Sequence, residues 1–178
     1  MSLNKQLLQF LIDRKECTSP AFVIDGVVWS YADFYCIVEQ IYQLIYEKDE
    51  KYFFLYATDN IRTYASIVAL WFAGKAYVPL NPNQPKERHV EVMSSVGTHF
   101  ILSSDGKYCP GIDEVKVLFT GDITEKGYAA QNLISVSEIS NSELAYILFT
   151  SGSTGKPKGV PITRGDLAAF IDSMNNIG

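Results

Sequence analysis

At 178 residues with 47% hydrophobic side chains, the chain is long enough to bury one core and should form a single α/β or α+β unit. A formal net charge of −5 excludes a general affinity for nucleic acid or acidic lipid, so any polyanion site must be local. The apolar stretch 67–74 is far too short for a membrane span, and three scattered cysteines without a CxxC pair predict neither disulfides nor zinc, which fits a reducing cytoplasm.

In chain order, residues 3–13 predict a short amphipathic helix with Leu7, Leu8 and Leu11 on one side. "AFVIDGVVWSY" predicts a hairpin turning at Asp25-Gly26. Ser30 and Asp33 resemble a capping box that opens a helix over 31–47, with Phe34, Ile37, Val38, Ile41, Leu44 and Ile45 inward. "YFFLYA" (52–57) suits a strand covered on both faces. A helix follows whose inner stripe is expected to be Tyr64, Ile67, Val68, Trp71 and Phe72, ending at a left-handed Gly74.

"AYVPL" (76–80) predicts the next strand, and Pro85 opens a third helix that presents Val92, Met93 and Val96 and stops at Gly97. Residues 99–104 and 115–120 predict two further strands, while the polar stretch 121–142 is expected to cross the surface. Short apolar strands alternating with amphipathic helices imply an α/β fold with a parallel-rich sheet and helices on both faces.

The segment "LAYILFTSGSTGKPKGVPIT" (144–163) then sets a glycine-, hydroxyl- and lysine-rich loop between two apolar runs. Gly152, Gly155 and Gly159 are expected to allow positive φ and to let backbone N–H groups converge on an anion. Thr150, Ser151, Ser153 and Thr154 add hydroxyl donors, and Lys156 and Lys158 add charge, so phosphate is the matching ligand. A Walker A loop is excluded, because Gly152 and Gly155 are three apart and Pro157 stands where a magnesium-binding hydroxyl is needed. Pro157, Pro161 and the β-prone "GVPIT" predict that the chain leaves this loop as a strand rather than a helix. In a parallel sheet, such a loop at the carboxyl end of a strand stands where ligands gather. An ordinary flexible linker is one competing reading, against which the apolar strands on either side count, and a structural loop that holds no nucleotide without adenine and ribose pockets beside it is the other.

"YILFTSGSTGKPKGV" closely resembles the phosphate-binding motif of the acyl-adenylate-forming superfamily of AMP-dependent synthetases and ligases. "FAGKAYVPLNPNQPKER" (72–88) is similar to an earlier motif of that superfamily, in the wording of amino-acid adenylation domains, and "WSYADF" (29–34) to its opening motif. The resemblance implies that a carboxylic acid attacks the α-phosphate of ATP, releases pyrophosphate and forms an acyl-adenylate, which then passes to CoA or a carrier-protein thiol. It implies that Thr150, Ser151, Gly152, Ser153, Thr154 and Gly155 wrap the β- and γ-phosphates, with Lys156 and Lys158 offsetting their charge and Mg²⁺ arriving with ATP.

The superfamily's adenine, ribose and acyl pockets, its metal-binding glutamate and its catalytic lysine lie downstream of this loop. No catalytic residue is therefore expected within residues 1–178, which read as an incomplete N-terminal portion of the large domain of an adenylate-forming ligase, inactive alone. A non-catalytic interaction module that keeps the fold, self-associating through uncovered apolar surface, is the alternative. Arg164 and Asp166 stand where the superfamily commonly has His and Asn, so a helix-start contact is expected to differ. His89 and His99 are expected at the surface or on a helix face, Cys36 near the core, and Glu87-Arg88 and 47–51 as solvated charge.

Overall fold

The computed structural model describes residues 2–108, 110–125, 128–135, 138–151 and 157–175. Helix α1 (Leu3–Ile12) precedes a small antiparallel ribbon, β1 (Pro20–Ile24) and β2 (Val27–Ser30). The ribbon turns at Asp25 and Gly26, both at positive φ, as a tight Asp-Gly hairpin requires. Helix α2 (Tyr31–Ile45) starts on a capping box: Ser30 Oγ accepts from Asp33 N at 3.1 Å, and Asp33 Oδ2 accepts from Ser30 N at 2.8 Å. Then follow β3 (Tyr52–Tyr56), α3 (Ile61–Phe72), β4 (Ala76–Leu80), α4 (Lys86–Val96), β5 (Phe100–Ser103) and β6 (Lys116–Phe119). The remaining elements are β7 (Leu144–Ser151), β8 (Pro157–Thr163) and α5 (Arg164–Asn175).

Six strands form one sheet in the order β6-β5-β3-β4-β7-β8, parallel throughout except for the antiparallel pair β7–β8 at one edge. Strand alternation splits the core into two layers. Phe53, Leu55 and Leu102 face α2 and α3, while Phe54, Val78 and Ile101 face Val92 and Met93 of α4. Helices therefore cover both faces, as parallel crossovers demand. Gly74 and Gly97 end α3 and α4 at φ of 72° and 67°, where a side chain is strained.

Three expectations are corrected. The buried face of α3 is Ile61, Ala65, Ala69, Leu70 and Phe72, with Thr63 and Ser66, whereas Tyr64 is 37% exposed and Ile67, Val68 and Trp71 are half-buried. Small alanines let α3 pack close to α2, so bulk alone misplaces the stripe. The segment after β6 has no regular element among its described residues, yet it is not merely superficial: Ile134 is buried. The buried Glu39 carboxylate of α2 holds this segment, accepting from Gln131 N at 2.7 Å, Leu133 N at 2.8 Å and the Tyr128 hydroxyl at 3.0 Å. His89 is buried as well, for a reason given below, while His99 is exposed. Cys36 is half-buried, with its thiol held above its usual range by burial and by the nearby Glu39.

Candidate functional site

Strand β7 forms because its residues alternate between two environments. Ala145 is fully buried, and Ile147 and Phe149 pack against the α4-side core, while Leu148 and Thr150 are exposed. Its start is pinned by Trp71, whose indole N–H donates to Ala145 O at 3.1 Å. It runs parallel to β4 with Tyr77 opposite Tyr146, so its far end rises at the carboxyl edge of the parallel sheet.

Strand β8 returns antiparallel, with Thr150 opposite Lys158 and Ser151 opposite Pro157. The expectation that the chain leaves the loop as a strand holds, and β7 and β8 pair as the two arms of a hairpin. Thr150 Oγ1 donates to Lys158 O at 3.5 Å, so two predicted site residues face each other across the hairpin, with exposed side chains. Gly152, Ser153, Thr154, Gly155 and Lys156 lie outside the described residues, and Ser151 is described only through its strand pairing.

Gly159 has a different role from the one expected. It sits inside β8 opposite Phe149 without a positive φ, and a Cβ there would come within 3.1 Å of Phe149 Cζ and 3.2 Å of Ile147 Cγ2. It is a packing glycine that seats the Phe149 ring, and it does not add a loop amide to an anion cradle.

The carboxyl edge is organised by the first turns of α4, which composition led us to expect as solvated charge. His89 Nε2 donates to Asn81 O at 2.9 Å, just past the end of β4, and its Nδ1 lies within hydrogen-bond distance of the Tyr108 hydroxyl at 3.2 Å. The Tyr108 ring stacks on Tyr56, at the end of β3, with centroids 3.9 Å apart. Arg88, whose side chain is only 17% exposed, donates from Nη2 to Thr150 O at 3.2 Å and from Nη1 to Glu91 Oε2 at 3.1 Å. A signal was available in "PKERH": charged and polar residues in a helix's first turn, next to strand ends, have backbone carbonyls within reach. Between these elements lies a crevice of about 340 Å³ lined by Tyr56, Lys86, His89, Asp105, Lys107 and Tyr108.

The helix start after β8 is held by its own side chains. Thr163 Oγ1 and N both donate to Asp166 Oδ2, at 2.7 and 2.9 Å, and these bonds hold the Asp166 carboxyl below its usual range. Arg164 is buried and donates to Asn4 Oδ1 at 2.8 Å and Lys75 O at 3.1 Å, with burial lowering its pKa to about 10. Helix α5 is thereby tied to α1 and to the start of β4. Among the described residues no helix is long and apolar enough to cross a membrane, and no group of three His, Cys, Asp or Glu side chains could hold a metal ion.

A family model described as AMP-binding enzyme matches residues 12–178. Among curated proteins the chain is similar to N-(5-amino-5-carboxypentanoyl)-L-cysteinyl-D-valine synthase of Amycolatopsis lactamdurans, at 36% identity over 110 residues. It is also similar to the Ferrichrome siderophore peptide synthetase of Mycosarcoma maydis, at 40% identity over 115 residues. These matches cover 61% and 64% of this chain but 3% of each relative. Among solved structures, the nonribosomal peptide synthetase FmoA3 superposes with a TM-score of 0.81 at 18% identity, covering 99% of this chain and 20% of that one. The N-terminal subdomain of Klebsiella oxytoca NpsA superposes with a TM-score of 0.68 at 24% identity, covering 92% of this chain and 41% of that one. At these identities the structural likeness concerns the fold alone.

Proposed function

From membership of the AMP-binding enzyme family, to which this chain belongs, we propose that it is the N-terminal portion of a ligase that activates a carboxylic acid as its adenylate, with Thr150–Lys158 as the phosphate-binding hairpin. The short coverage of FmoA3 and NpsA supports a part of a larger adenylating unit. An amino acid is the favoured substrate class, because the relatives named above are peptide synthetases and "AGKAYVPLNPNQPKER" has the wording of amino-acid adenylation domains. In this reaction a carboxylate oxygen bonds to the α-phosphorus of ATP as the bond to the bridging oxygen breaks and pyrophosphate leaves. A thiol of CoA or a carrier protein then attacks the acyl carbon, forming a thioester as the bond to the phosphate oxygen breaks and AMP leaves.

What this chain's residues contribute is positioning and charge. The single observation that carries the reading is the pairing of Thr150 with Lys158 at the carboxyl edge of a parallel sheet, where a hydroxyl and an ammonium are presented together to solvent. Lys158 neutralises phosphate charge, and Thr150, on giving up its long bond to Lys158 O, donates its hydroxyl to a phosphate oxygen. As in the family resemblance, Mg²⁺ would arrive with the phosphates of ATP. Calorimetric titration of the chain with ATP and Mg²⁺ tests this. Binding is expected, weakened about tenfold by Lys158→Ala, in keeping with one charge-assisted hydrogen bond. The absence of heat at millimolar nucleotide would overturn the phosphate-binding role of Thr150 and Lys158 in this chain.

A further inference from the structure

We propose that Arg88 is a positioning residue that fixes the phosphate-binding hairpin against α4. The inference rests on the phosphate reading of that hairpin and adds a residue from outside it. With Tyr77 opposite Tyr146, the parallel register brings Thr150 level with Asn81, one residue beyond the last residue of β4, Leu80. On that side Thr150 has no strand partner, and its carbonyl accepts from Arg88 Nη2. The guanidinium completes the ladder where the neighbouring strand stops.

Two features make this contact more than a chance surface bond. Glu91, three residues further along α4, takes the other arm of the guanidinium and fixes the orientation of the planar fork. Next to Arg88 in sequence, His89 holds Asn81 O at the end of β4. Two consecutive residues of one helix thus clamp the ends of two adjacent strands, and the second strand leads directly into the hairpin. Thr150, whose carbonyl Arg88 grips, is the residue opposite Lys158. A shift of Thr150 therefore moves Lys158 with it. Lysine cannot replace this arginine, because an ammonium lacks the rigid fork that reaches Glu91 and Thr150 together.

The experiment compares wild type, Arg88→Ala, Arg88→Lys and Ile45→Val by amide hydrogen exchange and by titration with tripolyphosphate and Mg²⁺. Ile45 is fully buried in the opposite core layer, so Ile45→Val lowers stability without touching α4 or the hairpin. Arg88→Ala is expected to speed exchange about tenfold in 144–151 and 157–163 while leaving β3 and β5 unchanged, and to weaken tripolyphosphate about tenfold, the scale of one hydrogen bond to a charged group. Arg88→Lys should recover less than half of either loss, and Ile45→Val should leave tripolyphosphate affinity intact. Exchange in Arg88→Ala that is unchanged, or that rises equally across the sheet, would overturn the proposal. So would wild-type tripolyphosphate affinity in a variant whose hairpin has loosened. Should wild type bind no tripolyphosphate, the phosphate reading falls, and the exchange pattern alone decides whether Arg88 fixes the hairpin.

Discussion

Gly159 offers a direct measure of how tightly the hairpin is built. A Cβ added there would stand 3.1 Å from Phe149 Cζ and 3.2 Å from Ile147 Cγ2, both closer than ordinary carbon contact, and 3.4 Å from Phe149 Cε1. Phe149 and Ile147 are backed by the Val92–Met93 core, which limits their retreat. In an unobstructed strand, Gly→Ala gains about 0.5–1 kcal/mol by restricting the unfolded chain. Forcing the ring aside costs about 1–3 kcal/mol. Gly159→Ala should therefore destabilise by about 1 kcal/mol, and Gly159→Val, with two more carbons to place, by about 2–3 kcal/mol. Urea unfolding followed by tryptophan fluorescence reads both. The cause is isolated by Phe149→Leu, which removes the obstructing ring edge: in that background Gly159→Ala should be neutral or stabilising, a coupling of about 1 kcal/mol. If Gly159→Ala stabilises the wild-type background, or the two changes simply add, the ring does not rest on this glycine, and its value lies in backbone freedom near the loop.

Glu39→Gln should destabilise by about 1.5–3 kcal/mol, because the new amide nitrogen confronts donors that now meet a carboxylate. Limited proteolysis within 128–135 should quicken, and an unchanged thermal midpoint would show that Glu39 is not the anchor of that segment. Tyr77 is pushed up to about 12, first by burial and then by Tyr146. A phenol whose folded pKa is raised keeps its full stabilising effect below about pH 10 and loses it as pH climbs towards 12, roughly 3 kcal/mol over that window. Alkaline unfolding should move to higher pH in Tyr77→Phe, whereas a Tyr77 phenolate that titrates near 10 in the folded protein would contradict the burial.

Much of the fold is legible in the sequence because local signals agree with the tertiary outcome. The Asp25-Gly26 turn, the Ser30–Asp33 capping box and the Gly74 and Gly97 stops are each fixed by the chemistry of one or two residues, and all stand where expected. The apolar runs of β3, β4 and β5 match burial on both faces, so their parallel pairing followed. What eluded sequence reasoning depends on partners distant in the chain. The burial of Ala65 and Ala69 reflects the approach of α2, and Glu39 gains its role from backbone N–H groups more than 90 residues away. Arg88 and Arg164 look like surface charge until a strand end or a helix start is brought beside them. In the hairpin, residue types pointed to a phosphate ligand, but only the register separates Thr150 and Lys158, paired and exposed, from Gly159, which serves packing.

The same register fixes the side from which a ligand can approach. Residues opposite each other on an antiparallel ladder share a face, and Ile147 and Phe149 commit one face of the hairpin to the α4 core. Thr150, Lys158, Leu148 and Val160 consequently present the other face, where Leu148 and Val160 are 43% and 40% exposed. The crevice beside Tyr108 opens on the other, α4 side. The lysines of that crevice, Lys86 and Lys107, are then separated from Lys158 by the sheet itself. On this geometry the α4 side acts as support: it grips Asn81 and Thr150 from behind, so the opposite face can present a hydroxyl and an ammonium at fixed spacing without using its own surface to hold them.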